Sequence, residues 1–211
     1  MTSDPIFIKI CGITRVEDAL HAVEQGATAI GFVFWPRSPR VVTAERAAEI
    51  TSRLPTHVMR VGVFVDEPVN GIRMTVEQAG LTAVQLHGGE SPTYADALDC
   101  PVLRAVSVAD LIEASERWTP GTALLVDNID PVRRGGTGTA IDWTQAAAVA
   151  HRRKVVLAGG LTPENVASAI HAVHPYGVDV SSGVEAAPGV KDFDKVSRFV
   201  TNARRAFEEL N

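Results

Sequence analysis

Two textures alternate along the chain. Short runs rich in Val, Ile and Phe give way to longer stretches with apolar residues at helical spacing. The apolar runs predict strands at 7–10, 29–34, 60–65, 83–86, 102–106, 123–126, 155–158 and 178–180. Runs such as "ALLV" (123–126) and "VVLA" (155–158) are apolar throughout, as strands buried on both faces are. Helix signals lie between them. Thr14 and Glu17 fit a capping box ahead of "DALHAVEQG", with Gly26 as the stop. Thr162-Pro163-Glu164 reads as an N-cap followed by proline in the first turn. The stretch 193–210 is amphipathic and closes the series.

A strand–helix unit repeated in this way implies an α/β protein with a parallel sheet and helical crossovers. Eight units predict a closed (β/α)8 TIM barrel, and 211 residues sit at the small end of that fold. An open doubly wound sheet is the rival. The barrel is favoured because the units continue to eight and polar residues recur at the C-terminal ends of the strands. No linker or shift in composition divides the chain, so residues 1–211 are expected to form a single barrel domain.

Composition narrows the function classes. Hydrophobic residues make up 45% and charged residues 21%, which is ordinary for a soluble globular protein. No apolar run approaches the ~18 residues of a membrane span. The opening "MTSDP" carries no basic region followed by an apolar stretch, so no secretory signal and a cytoplasmic location are expected. Acidic and basic residues are interspersed at a formal charge of −5, which disfavours nucleic acid as a partner. The two cysteines, Cys11 and Cys100, are expected to stay reduced. His171 and His174 share a helix face without an accompanying cysteine or carboxylate pattern, so they read as a solvated pair and no metal site is expected.

Barrel chemistry collects at the C-terminal ends of strands. Those positions hold Cys11, Asp66, His87, Ser107, Asp127, the pair Gly159-Gly160, and Ser181-Ser182-Gly183. "LAGGLTPEN" follows the seventh strand and "VSSGVE" the eighth. Barrels often bind phosphate with these two loops and a helix N-terminus, where glycine lets backbone N–H groups approach the oxygens. The loop "RRGGTGTAIDW", with Gly136 and Gly138, follows the sixth strand and would close over the same ligand. Three adjacent loops agreeing points to a small phosphosugar as the partner.

Side chains alternate along a strand, so Lys9 and Cys11 share the inward face. A nearby ammonium favours thiolate, and a lysine pointing into a barrel needs a counter-ion. Asp179, on the neighbouring eighth strand, is the candidate. A free cysteine is most often a small apolar plug, so Cys11 alone reads either way. Asp127 ends "ALLVD". A carboxylate there is partly desolvated, which favours the protonated form and suits a general acid, although aspartate is also a common turn residue. Placement shifts the balance. The first and sixth strands face each other across the mouth, with the phosphate loops on the short arc between them. A base and an acid flanking one sugar are the apparatus of an isomerisation.

"KICGIT", "GFVFWPRSPR", "VGVFV", "VQLHG", "LLVD", "LAGGLTPENV" and "VDVSSGVE" together resemble the phosphoribosylanthranilate isomerases of tryptophan biosynthesis, from Lys9 to about Lys191. The resemblance implies a (β/α)8 barrel, no cofactor, and an Amadori rearrangement of N-(5-phosphoribosyl)anthranilate. It implies that Cys11 is the general base and Asp127 the general acid. It places Arg40 on the anthranilate carboxylate, which a guanidinium matches in bidentate fashion. His87 falls in the site wall, as a ligand contact or a structural histidine. For Asp179, support of Lys9 and ligand contact both stay open. Such proteins are monomers or homodimers. Related dual-substrate isomerases carry aspartate where this chain has Cys11.

Overall fold

A computed structural model describes residues 6–127 and 143–210. Its eight parallel strands close in sequence order: β1 (Phe7–Ile10), β2 (Ala29–Val33), β3 (Met59–Phe64), β4 (Ala83–Leu86), β5 (Val102–Val106), β6 (Ala123–Val126), β7 (Val155–Leu157) and β8 (Gly177–Val180). The seam runs between β1 and β8, with Phe7 opposite Gly177, Lys9 opposite Asp179 and Ile10 opposite Val180. The expected barrel is therefore present, and strand bounds differ from the sequence reading by a residue at most.

The apolar runs are explained by burial on both faces. Outward residues such as Ile8, Ile10, Val84, Leu124 and Val178 pack against the helices. Inward residues form a second cluster that fills the barrel: Phe7, Ala29, Val61, Ala83, Leu103, Leu125 and Val156. Above this plug the inward face turns polar, with Lys9, Gln85, His87, Asp127 and Asp179 all buried.

Around the barrel lie α1 (Val16–Glu24), α2 (Ala44–Thr51), α3 (Val69–Ala79), the short α4 (Pro92–Asp96), α5 (Leu111–Arg117), α6 (Trp143–Ala150), α7 (Val166–Val173) and α8 (Phe193–Glu208). Helix α8 is capped by Asp192, which accepts from the Lys195 N–H, and buries Val196, Phe199, Val200, Ala203, Ala206 and Phe207. That is a stripe at the i, i+3, i+4, i+7 spacing of one helical face. Among the described residues no helix is long and apolar enough to cross a membrane.

Two helix starts differ from the sequence reading. Thr14 does not cap α1. The N-cap is Arg15, without a side-chain bond, and the Thr14 hydroxyl instead donates to the Gly189 carbonyl at 2.6 Å. The hydroxyl donates to this tertiary carbonyl instead of accepting from a first-turn N–H. Helix α7 begins at Val166 rather than at Pro163. Residues Thr162–Asn165 form a separate turn, closed by the Asn165 Oδ1 accepting from the Thr162 N–H at 2.8 Å. Gly26 does end α1, with φ of 104° and its N–H on the Val23 carbonyl.

After β8 the chain makes a 3₁₀ turn, Ser182–Val184, and a small antiparallel hairpin of β9 (Glu185–Ala187) and β10 (Val190–Lys191). The hairpin folds back over the β1–α1 connection. Thr14 holds Gly189, and the buried Asp18 carboxylate accepts the Lys191 N–H at 3.1 Å while taking two bonds from Arg15. This places two more charged residues, Glu185 and Lys191, beside the end of β1.

Candidate active site

Cys11 directly follows β1, with 7% of its surface exposed. Its neighbour on the second strand is Gly31, where an added Cβ would lie 2.8 Å from Cys11 Sγ and 2.9 Å from Lys9 Cε. Real Cβ atoms do not approach so closely, so glycine at this place is what lets thiol and ammonium sit together. Lys9 is fully buried, with Nζ 3.0 Å from Asp179 Oδ1 and 2.9 Å from Gln85 Oε1. The expected Lys9–Asp179 pair is present.

Burial works against the Lys9 ammonium, but Asp179 and Cys11 outweigh it and hold its pKa above the ordinary value. For the thiol the balance is opposite. Burial pushes Cys11 up, Lys9 and Lys191 pull it back, Asp179 adds to the rise, and the net direction is upward. The ammonium acts in the direction expected from the sequence, but desolvation of the thiol exceeds it.

Arg40 reaches the same corner from the loop after β2. It donates from Nε and Nη2 to the two carboxylate oxygens of Glu185, at 2.8 and 2.7 Å. Arg40 was expected to meet the ligand's carboxylate in bidentate fashion. Here a bidentate partner from the hairpin already occupies one edge and leaves Nη1. Lys191 Nζ lies 3.0 Å from Glu185 Oε1 and 3.1 Å from the Ser181 carbonyl. Burial of Glu185 opposes its charge, yet Arg40 and Lys191 hold its carboxyl below the usual range. Burial pulls Lys191 below its ordinary value and the nearby Arg40 adds to the fall, more than Glu185 and Cys11 restore.

Across the mouth, Asp127 follows β6 and is 8% exposed. His87 Nε2 stands 3.7 Å from Asp127 Oδ2, and His87 Nδ1 lies 3.0 Å from Gln85 Nε2. Between the Cys11 and Asp127 sides run the loops of β7 and β8. Asp127, Gly159, Gly160, Asp179, Ser181, Ser182 and Gly183 line one small cavity there. Gly159 and Gly160 take φ of 65° and 73°, backbone that side-chain-bearing residues rarely adopt. Gly183 abuts the Leu161 carbonyl so closely that no Cβ would fit, which brings the two loops together. Gly136 and Gly138 lie outside the described residues.

The sequence-predicted residues Lys9, Cys11, Arg40, His87, Asp127 and Asp179 thus share one end of the barrel. Gln85, Glu185 and Lys191 join them without having been singled out. Gln85 was detectable, since it alternates inward with His87 on the same strand. Lys191 had no local signal, because only the hairpin brings it there. Asp66 and Ser107, also at strand ends, serve loop structure: Asp66 accepts from the Gly89 N–H at 2.6 Å, and Ser107 donates to Asp110. Among the described residues no cluster of three or more His, Cys, Asp or Glu could hold a metal ion. His171 pairs with Glu209 on the surface at 3.1 Å.

Fold and site together define a (β/α)8-barrel enzyme with a buried thiol and a carboxyl group flanking an anion-sized cavity. Comparison with known proteins gives the particular family. The profile of N-(5'-phosphoribosyl)anthranilate (PRA) isomerase matches residues 8–202. The chain is 48% identical to N-(5'-phosphoribosyl)anthranilate isomerase of Pelobacter propionicus over 206 residues, 97% of this chain and 98% of that one. The crystal structure of phosphoribosyl anthranilate isomerase from Thermotoga maritima superposes with a TM-score of 0.88 at 44% identity, covering 95% of this chain and 99% of that one. A structure of such an isomerase with reduced 1-(o-carboxyphenylamino)-1-deoxyribulose 5-phosphate bound gives 0.84 at 43% identity and the same coverage. The chain belongs to the N-(5'-phosphoribosyl)anthranilate isomerase family.

Proposed function

We propose that this chain isomerises N-(5-phosphoribosyl)anthranilate to 1-(2-carboxyphenylamino)-1-deoxyribulose 5-phosphate, with Asp127 as general acid and Cys11 as general base. The observation carrying this reading is the placement of Cys11 and Asp127 at the ends of β1 and β6, on either side of the cavity formed by the β7 and β8 loops. The phosphate sits against the backbone of Gly159, Gly160, Ser181, Ser182 and Gly183. The anthranilate carboxylate meets the Nη1 edge of Arg40.

Asp127 donates its proton to the ribose ring oxygen as the C1–O bond breaks, leaving an iminium at C1 and a hydroxyl at C4. The Cys11 thiolate then takes the proton from C2, and its electron pair neutralises the iminium. The enolamine tautomerises to the ketone. No oxidant or external reductant is consumed. Asp179 holds Lys9, and Lys9 stabilises the thiolate.

The test generates the substrate in place and follows loss of its anthranilate-type fluorescence. Wild-type protein should consume it, and Cys11→Ala and Asp127→Asn should each fall by about 10²–10⁴-fold, the scale of a lost general acid or base. Retained turnover in a folded Cys11→Ala protein would return the thiol to a packing role. No turnover by wild type would remove the substrate assignment.

A further inference from the structure

A continuous polar chain crosses the barrel beneath the site, from Asp179 through Lys9, Gln85 and His87 to Asp127. Its first three links are hydrogen bonds of 3.0, 2.9 and 3.0 Å, and the last is an electrostatic contact of 3.7 Å. Donor and acceptor roles along it follow from chemistry. An ammonium has donors only, so the Gln85 atom facing Lys9 is its carbonyl oxygen, whatever amide orientation is assigned. The amide NH₂ therefore faces His87 Nδ1, and Nδ1 must accept. In neutral histidine the remaining nitrogen then carries the hydrogen, and that nitrogen, Nε2, is the one 3.7 Å from Asp127 Oδ2. A doubly protonated ring would set Nδ1–H against the amide NH₂. Turning the amide over would set its NH₂ against the ammonium.

We infer that Gln85 is a positioning residue that locks His87 in the Nε2–H tautomer and thereby directs the proton of Asp127 toward the substrate. With Nε2–H 3.7 Å away, negative charge is favoured on Oδ2 and the transferable proton on the other carboxyl oxygen. The opposite tautomer would present an Nε2 lone pair, and Asp127 would spend its proton on the histidine. The lock is fixed at its far end by the buried Lys9–Asp179 pair, so the base and acid sides of the site share one scaffold. Among the described residues, Arg104 on this wall donates to Glu90 and to the Gly88 carbonyl, and Glu90 accepts from the Asp66 and Gly88 N–H groups. The positioning role rests on the acid role proposed for Asp127, while the tautomer itself does not.

The experiment pairs long-range ¹H–¹⁵N spectra of histidine-labelled protein with steady-state kinetics, His87→Asn assigning the resonances. Wild type should show His87 protonated at Nε2 and bare at Nδ1 at neutral pH. Gln85→Glu offers an acceptor to both Lys9 and Nδ1–H, so it should invert the tautomer. Its kcat should fall by about 10²-fold, as for a misdirected general acid, with KM nearly unchanged, as for an interaction used only in the transition state. Gln85→Met imposes neither tautomer, should give a mixture with an intermediate kcat, and covers the case in which the added buried carboxylate prevents folding. Nδ1–H or imidazolium in wild type would overturn the lock. An inverted tautomer with wild-type kcat would overturn its catalytic role and leave the isomerase reading intact. An inactive wild type that still shows the Nε2–H tautomer would instead remove the acid role and with it the positioning role.

Discussion

At the scale of single residues, the thiol is where opposing forces can be read most directly. Burial raises the Cys11 pKa above its ordinary value, while Lys9 and Lys191 restrain the rise. If Cys11 is the base, as proposed, it works as thiolate, so kcat/KM should increase with pH through the thiol's ionisation and be lost on the acid side. Lys9→Met removes the largest restraint and should move that limb to higher pH. The double variant Lys9→Met/Asp179→Asn should move it less, because Asp179 also pushes the thiol upward. The double variant also avoids leaving a buried carboxylate without its counter-ion, a loss that costs about 3–5 kcal/mol. A limb in the wild-type position in both folded variants would show that the ammonium does not act on the thiol. Lys9 and Cys11 were legible from strand alternation and His87 from its place at a strand end, while Gln85, on the same inward phase as His87, was not singled out. The magnitude of desolvation was not legible, because it depends on how closely β2 approaches at Gly31.

Among the elements, the hairpin of β9 and β10 departs most from the repeating strand–helix plan, and it supplies the corner that the sequence reading lacked. Its Glu185 orients Arg40 and accepts from the Gly189 N–H. Glu185→Gln should loosen Arg40 and raise KM by about tenfold, equivalent to about 1.4 kcal/mol of binding, with a smaller effect on kcat. The same residue predicts a pH signature. Its folded-state pKa is lowered despite burial, so its contribution to stability is complete above the unfolded value of about 4.3 and is lost as pH falls through the folded one. Urea midpoints of wild type and Glu185→Gln should therefore differ at neutral pH and converge below about pH 4.3. A constant difference down to strong acid would mean that Glu185 gains nothing from its two cations. Short elements of this kind evade periodicity because two- and three-residue strands carry no pattern. The misplaced start of α1 has the same origin: Thr14 matched a local motif, and the Gly189 carbonyl, distant in sequence, took its hydroxyl.

For the whole molecule, an open doubly wound sheet would also bury both faces under helices, so it was the run of strand–helix units to eight, with polar residues at the strand ends, that favoured closure. What patterning does not specify is the seam. Here β8 lies against β1 with Gly177 opposite Phe7, and a Cβ at Gly177 would stand 2.5 Å from the Phe7 carbonyl oxygen. The Phe7 ring occupies the space instead and stacks on Tyr176, centroids 5.8 Å apart, at the floor of the inner cluster. Gly177→Ala would press backbone against backbone at the one junction that joins the ends of the sheet, and should destabilise the barrel by about 1–3 kcal/mol, the range for overpacked cores. Gly121 is exposed, and a Cβ there would meet nothing within 4 Å, so Gly121→Ala serves as the matched control that should leave the urea midpoint nearly unchanged. Because Lys9 and Asp179 face each other two residues further along the same seam, the loss should extend to catalysis: Gly177→Ala should lower kcat/KM while Gly121→Ala does not. Equal midpoints for the two variants would mean that the seam is loose enough to absorb a methyl group, and that the Lys9–Asp179 register is held by the ion pair rather than by closure of the sheet.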